Sequence, residues 1–305
     1  MISFEEFKEI LREEVAGNVD GEVTVVVILK NNGVKLDALS VKGKKSNIAP
    51  IIYLDSYYKD YNNGRSIENI VDSIVMICNR EPGINSELIN KFTDYNIMQK
   101  FIQVKLINKE KNKELLKNVP HIEFLDLAIV CMINVLFGNE NGEGTVLITK
   151  QHMNIWEISE EELFSVAKVN SMEKNPAILK AMNDVIKDMY INNILEEQEE
   201  DELCAMIDIV DSHLYVLTNT SKHNGAVAIA YENVLKDFAN EKNCNLYILP
   251  SSIHEVIIVL EEDNMDAMLL KKMVQSINQT EVDEIEVLSD NVYYYDRELD
   301  KITIA

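Results

Sequence analysis

The chain has 305 residues and a formal net charge of −23, with 47% hydrophobic and 27% charged side chains. That length holds one large or two ordinary domains with a core that needs no staples, and its apolar content excludes a mainly disordered chain. The acidic balance opposes binding to a phosphate backbone, where Lys and Arg must displace counterions, and docking on an anionic membrane surface.

In chain order, Ser3 with Glu6 reads as a capping box, and Phe4, Phe7, Ile10 and Leu11 follow at helical spacing, which predicts a helix over about 4–15. Two β-branched runs, 22–30 and 34–41, flank Asn31-Asn32-Gly33 and predict a hairpin, because a type I′ turn needs residues that tolerate positive φ. Extended structure resumes at 51–54, and a short helix carrying Tyr57, Tyr58 and Tyr61 ends at Asn63-Gly64. Ser66 caps a helix whose stripe is Ile67, Ile70, Val71, Ile74, Ile77 and Cys78, stopped by Pro82-Gly83. A further short helix is expected over about 86–95. A strand is expected at 102–107, a charged turn or helix at 108–118, and one long apolar strand over 123–137. Asn141-Gly142 turns that strand into 145–149.

Ser159 and Glu162 suggest a second capping box, and Pro176 opens a helix to about Leu195. The acidic run 196–202 is the expected domain boundary, giving an N-terminal α+β domain over 1–200 and a C-terminal one over 203–305. The second domain reads as ββαββαβ: strands at 213–219 and 226–231, a helix with Val234, Leu235, Phe238 and Ala239, strands on either side of Pro250-Ser251-Ser252, a helix striped by Leu269, Leu270, Met273, Val274 and Ile277, and a closing hairpin over 292–304. Helices are too few for strict βαβ alternation, so the fold class is α+β, with mostly antiparallel sheets, helices packed on them and two sub-domains.

Residues 246–262 hold the one His-Glu pair. In an extended strand Ser252 and His254 share a face and Ser251 and Glu255 the other. His254 is a candidate base for Ser252, with Asp211 or Glu255 as supporting acid; the plain alternative is a tight turn with side chains bonded to backbone. No Gly-x-Ser-x-Gly elbow supports a hydrolase. Tyr57, Asn219 and Glu255 are candidate ligand contacts. A metal site on His213, His223 and His254 would have to assemble from separate loops, since no His-Glu-x-x-His or His-x-His occurs. Cys78, Cys131, Cys204 and Cys244 form no Cys-x-x-Cys, which fits reduced thiols. Phosphate-cradling glycine motifs are absent, and aligning the 138–144 loop as a calcium loop puts Phe137 and Ile148 at ligand positions. Lysine patches near Tyr57, Tyr58 and Tyr61 suggest base stacking, which the overall charge opposes. The N-terminus lacks the basic region of a signal peptide, and the longest apolar run, 127–137, is too short to span a bilayer.

Several segments resemble a bacterial family of unknown function common in anaerobic gut bacteria. They are Asn31-Asn32-Gly33-Val34-Lys35-Leu36, the stretch 47–54, Tyr57-Tyr58 through Tyr61-Asn62-Asn63-Gly64-Arg65, 214–219 with Gly225-Ala226, 249–256, Leu288-Ser289-Asp290, and Tyr293 to Arg297. The resemblance covers nearly the whole chain and implies a cytoplasmic protein; it carries no activity, cofactor or catalytic residue. The sequence therefore leads to a cytoplasmic, non-enzymatic protein that binds a protein partner or small ligand. It needs no cofactor and binds neither nucleic acid nor membrane. The alternative is a hydrolase-like enzyme on His254, Ser252 and Asp211.

Overall fold

The computed structural model describes residues 2–43, 51–79, 91–136, 143–193, 213–262 and 265–305. Three antiparallel sheets with packed helices make it α+β, as the pattern predicts. The chain forms two compact units, Met1–Ile89 with Leu136–Gly142, and Asn90–Val135 with Glu143–Ala305. The units part near residue 90, whereas the expectation placed the boundary at the acidic run, which lies outside the described residues.

In the first unit, α1 (Phe4–Asn18) starts at the expected capping box: Glu6 N–H donates to Ser3 Oγ, and Ser3 N–H donates back to Glu6 Oε2 at 2.9 Å. Its Phe7, Leu11 and Val15, spaced for one helix face, are buried. Strands β1 (Gly21–Leu29) and β2 (Lys35–Gly43) pair antiparallel, and β3 (Ile51–Tyr53) joins β2. Asn32 and Gly33 turn the hairpin at φ 59° and 74°, the two positive values a type I′ turn requires. Helices α2 (Asp55–Asn62) and α3 (Ile67–Asn79) complete the unit. Ile70, Val71 and Ile74 of α3 enter the core with Phe7, Leu39 and Leu54, whereas Ile77 of the expected stripe is exposed.

The second unit begins with α4 (Tyr95–Met98), β4 (Ile102–Asn108) and α5 (Lys113–Leu116). Strand β4 is buried on both faces. The long strand expected over 123–137 is two: β5 (His121–Phe124) and β6 (Leu127–Leu136), joined where Leu125 takes φ 56°. Strand β6 pairs β4 and β5, and β7 (Glu143–Leu147) also joins it. Helix α6 (Lys150–Trp156), which the pattern did not suggest, is capped by Thr149, whose Oγ1 accepts from His152 N–H. Helix α7 (Glu160–Lys174) starts at Ser159 as expected, with Glu162 N–H donating to Ser159 Oγ at 3.1 Å.

Pro176 precedes a strand, not a helix: β8 (Ala177–Ala181) leads into α8 (Met182–Asn193). β8 pairs β9 (Leu214–Asn219), so the largest sheet draws strands from both sides of the acidic run. The expected strand at 226–231 is a 3₁₀ helix, Gly225–Ala230, in which every residue from Gly225 to Ile229 is buried. A fully buried run loses the polar alternation that separates helix from strand. The observed order after 213 is therefore β9, the 3₁₀ helix, α9 (Val234–Lys242), β10 (Leu246–Leu249), β11 (Val256–Leu260), α10 (Ala267–Thr280), β12 (Tyr293–Asp296) and β13 (Lys301–Ile304), correcting ββαββαβ. The sheet runs β13-β12-β10-β11-β9-β8. Helix α10 packs through Leu270 and Val274, while Leu269 and Met273 of its expected stripe face outward.

Candidate functional site

Residues 250–255 form the connection between β10 and β11 and are not extended strand, so simple alternation does not govern Ser252, His254 and Glu255. Backbone bonds hold the connection against 286–289: Ile253 N–H donates to Glu286 O, Leu288 N–H to Ser251 O and Ser289 N–H to Pro250 O, all at 2.9 Å. His254 is pinned on every side. Its carbonyl accepts from Thr218 Oγ1 at 2.8 Å, and its N–H donates to Ser252 Oγ at 3.0 Å. Its Nδ1 accepts from Asn224 N–H at 3.3 Å, and Nε2 lies 3.3 Å from Glu286 Oε1. The His223 ring stands edge-on, 5.7 Å between centroids.

Both ring nitrogens thus meet Asn224 and Glu286, and Ser252 Oγ meets the His254 backbone N–H, not the imidazole. Burial raises the Glu255 pKa, opposed by His254 and the Ser252 hydroxyl and reinforced by the Glu286 charge. Asn219 is buried and ties the 220–224 loop: its Nδ2 donates to His223 O at 3.0 Å, and its Oδ1 accepts from Ser221 Oγ at 2.9 Å. Tyr57 belongs to the other compact unit, where it packs on the core near Arg65. Asp211 lies outside the described residues. His213 faces Glu262 at 3.0 Å, and no group of three or more His, Cys, Asp or Glu poised for a metal ion occurs among the described residues.

Two features escaped sequence reasoning. Asp126, in the β5–β6 turn, accepts from Ser289 Oγ at 2.6 Å, Asn291 Nδ2 at 2.9 Å and Tyr293 OH at 2.5 Å. Ser289 and Tyr293 are fully buried, so this carboxylate serves as a clamp that accepts three hydrogen bonds from one segment. Segments 288–290 and 293–297 stood out in the sequence, but nothing there named Asp126 as their partner.

The second feature is a groove along α7. Val104 of β4 and Ile129 of β6 form its floor, Val169 and Met172 of α7 one wall, and Val227 and Tyr231 the other, around a space of about 500 Å³. A second space of about 360 Å³ shares Ser165 and Lys168 with it and reaches Ile122 of β5, Glu160 and Glu161. Ile122 faces Ile129 in register, and Ile129 faces Leu106, so the floor is one face of the sheet. Along α7, Glu161 to Met172 spans about 16 Å at the helical rise. The groove is mostly apolar, and Val169 and Met172 are 53% and 38% exposed. Tyr231 is held by its hydroxyl, which donates to Asn175 O at 3.4 Å, and burial lifts its pKa to about 12.

Fold and site define an α+β protein with an apolar groove across one antiparallel sheet and a closed polar knot at its Ser-His-Glu segment. The chain belongs to the family of unknown function DUF5688, whose model matches residues 4–297. No curated protein and no solved structure matches it. Among the described residues, no helix is long and apolar enough to cross a membrane.

Proposed function

We propose that this is a non-enzymatic cytoplasmic protein that binds a partner or small ligand, and that the groove along α7 is where it binds. The groove itself carries the reading: a concave, mainly apolar site of ligand-binding size with a few polar groups converging on it. Scattered surface apolar residues need no explanation, but Val169 and Met172 line the same concavity. The free thiols of Cys78, Cys131 and Cys244 support a reducing compartment. The net charge of −23 argues against nucleic acid and anionic membranes as partners.

The alternative, a hydrolase using His254, Ser252 and Asp211, needs the Ser252 hydroxyl on an imidazole nitrogen. The engagement of both nitrogens with Asn224 and Glu286 weighs against it. The test pairs two measurements on the purified full chain. Nile red, a neutral apolar dye, is expected to bind saturably with a blue shift, and Met172→Glu to abolish most of that signal while circular dichroism stays native. Activated-ester hydrolysis that disappears in both His254→Ala and Ser252→Ala would overturn the reading in favour of the enzyme.

A further inference from the structure

The acids around the α7 groove suggest what it takes. Glu160 and Glu161 stand at one end and Glu173 and Glu232 at the other, with Lys168 the one cation among the described residues lining the two spaces. All four carboxylates are exposed, and none makes an ion pair among the described residues. Some exposed acids elsewhere do find cations, as Glu9 meets Arg12 at 2.8 Å, Glu114 meets Lys117 at 2.7 Å and Asp300 meets Lys236 at 2.7 Å. Others, such as Glu68 and Asp72 of α3, make no ion pair among the described residues. What sets the four groove acids apart is their place at the two ends of one apolar floor. The apolar floor lies between the two acidic ends. A small apolar ligand would leave those ends unused, and an anionic one would meet net negative charge with only Lys168 to answer it.

We propose that the groove binds a cationic, apolar peptide segment of a partner protein. Leu- or Ile-like side chains would cover Val104, Ile129 and Met172, and Lys or Arg would reach Glu160 and Glu161 at one end and Glu173 and Glu232 at the other. This inference rests on the groove being a binding site and adds the class of occupant. Apolar burial would supply most of the affinity, and charge complementarity would set selectivity and the association rate. The length of the groove along α7, about 16 Å at 1.5 Å per residue, accommodates about five residues of extended chain at 3.3 Å each.

The experiment uses three fluorescent synthetic peptides of equal length on the full chain: alternating Lys/Leu, alternating Glu/Leu and alternating Lys/Ser. The Lys/Leu peptide is expected to bind saturably, the other two at least about tenfold more weakly, a difference of about 1.4 kcal/mol. Glu160→Lys with Glu161→Lys should weaken Lys/Leu binding about tenfold, and so should Met172→Glu. Glu68→Lys with Asp72→Lys on α3 removes the same charge from elsewhere and should leave it nearly unchanged. Equal loss from the α3 pair would mean general attraction to an acidic surface, and it would overturn the proposal. Equal binding of Glu/Leu would overturn it too. If Nile red responds to Met172→Glu but Lys/Leu does not bind, the groove remains a binding site and this occupant is wrong. If neither binds, both readings fall.

Discussion

Gly225 sits where no side chain fits. An added Cβ would lie 2.2 Å from Thr218 Oγ1 and 2.6 Å from His254 O, the two atoms whose hydrogen bond fixes the 250–255 connection. Gly225→Ala must push one of them aside, and overpacking of this kind costs about 1–3 kcal/mol; urea unfolding should show that loss. Glu255 gives a pH signature. Burial raises its pKa, so the folded protein binds this proton more tightly than the unfolded chain. The charged form therefore costs stability above the folded pKa, and the cost fades as pH falls to the unfolded value. Glu255→Gln is expected to be more stable than wild type at neutral pH, with the gain vanishing below the ordinary carboxylate range; melting curves across that window check it.

At the scale of elements, the joint between α7 and β4 is tied by side chains of α7. β4 ends its sheet, and a bare edge invites pairing with another chain. Side chains of α7 occupy that edge: Val104 N–H donates to Ser171 Oγ at 2.8 Å, and Asn170 Nδ2 donates to Ile102 O at 2.9 Å. Ser171→Ala strands a buried N–H and should cost about 1–3 kcal/mol by chemical denaturation. Elements with local signatures were legible in the sequence. The box at Ser3, the Asn-Gly turn and the stop at Gly64 each act within a few residues. The failures share one cause, since tertiary context outweighed local preference. Pro176 suits a helix start, yet the residues after it complete a sheet through β9. Residues 226–229 look like a strand because burial of each one erases their period. Leu125 is no turn former, and only the β5–β6 pairing puts it at positive φ. The groove was invisible because its floor and walls come from segments around 104, 129, 169 and 227, which meet only once folded. The Ser-His-Glu trio was visible, but its loop geometry was not.

For the whole molecule, charge is the dominant number. At −23, mutual repulsion opposes the compact state while favouring solubility. Salt screens exposed charges beyond about 8 Å at physiological ionic strength. The melting temperature is therefore expected to rise from low salt to about 0.15 M sodium chloride, as scanning calorimetry would record; a fall would mean that ion pairs outweigh the repulsion.

The Asp126 clamp also sets a clock. Its partners Ser289, Asn291 and Tyr293 follow it by 163 to 167 residues. A ribosome adding about 5–20 residues per second takes roughly 8–30 s to reach them. Throughout that interval the nascent β5–β6 turn holds a carboxylate whose three donors do not yet exist.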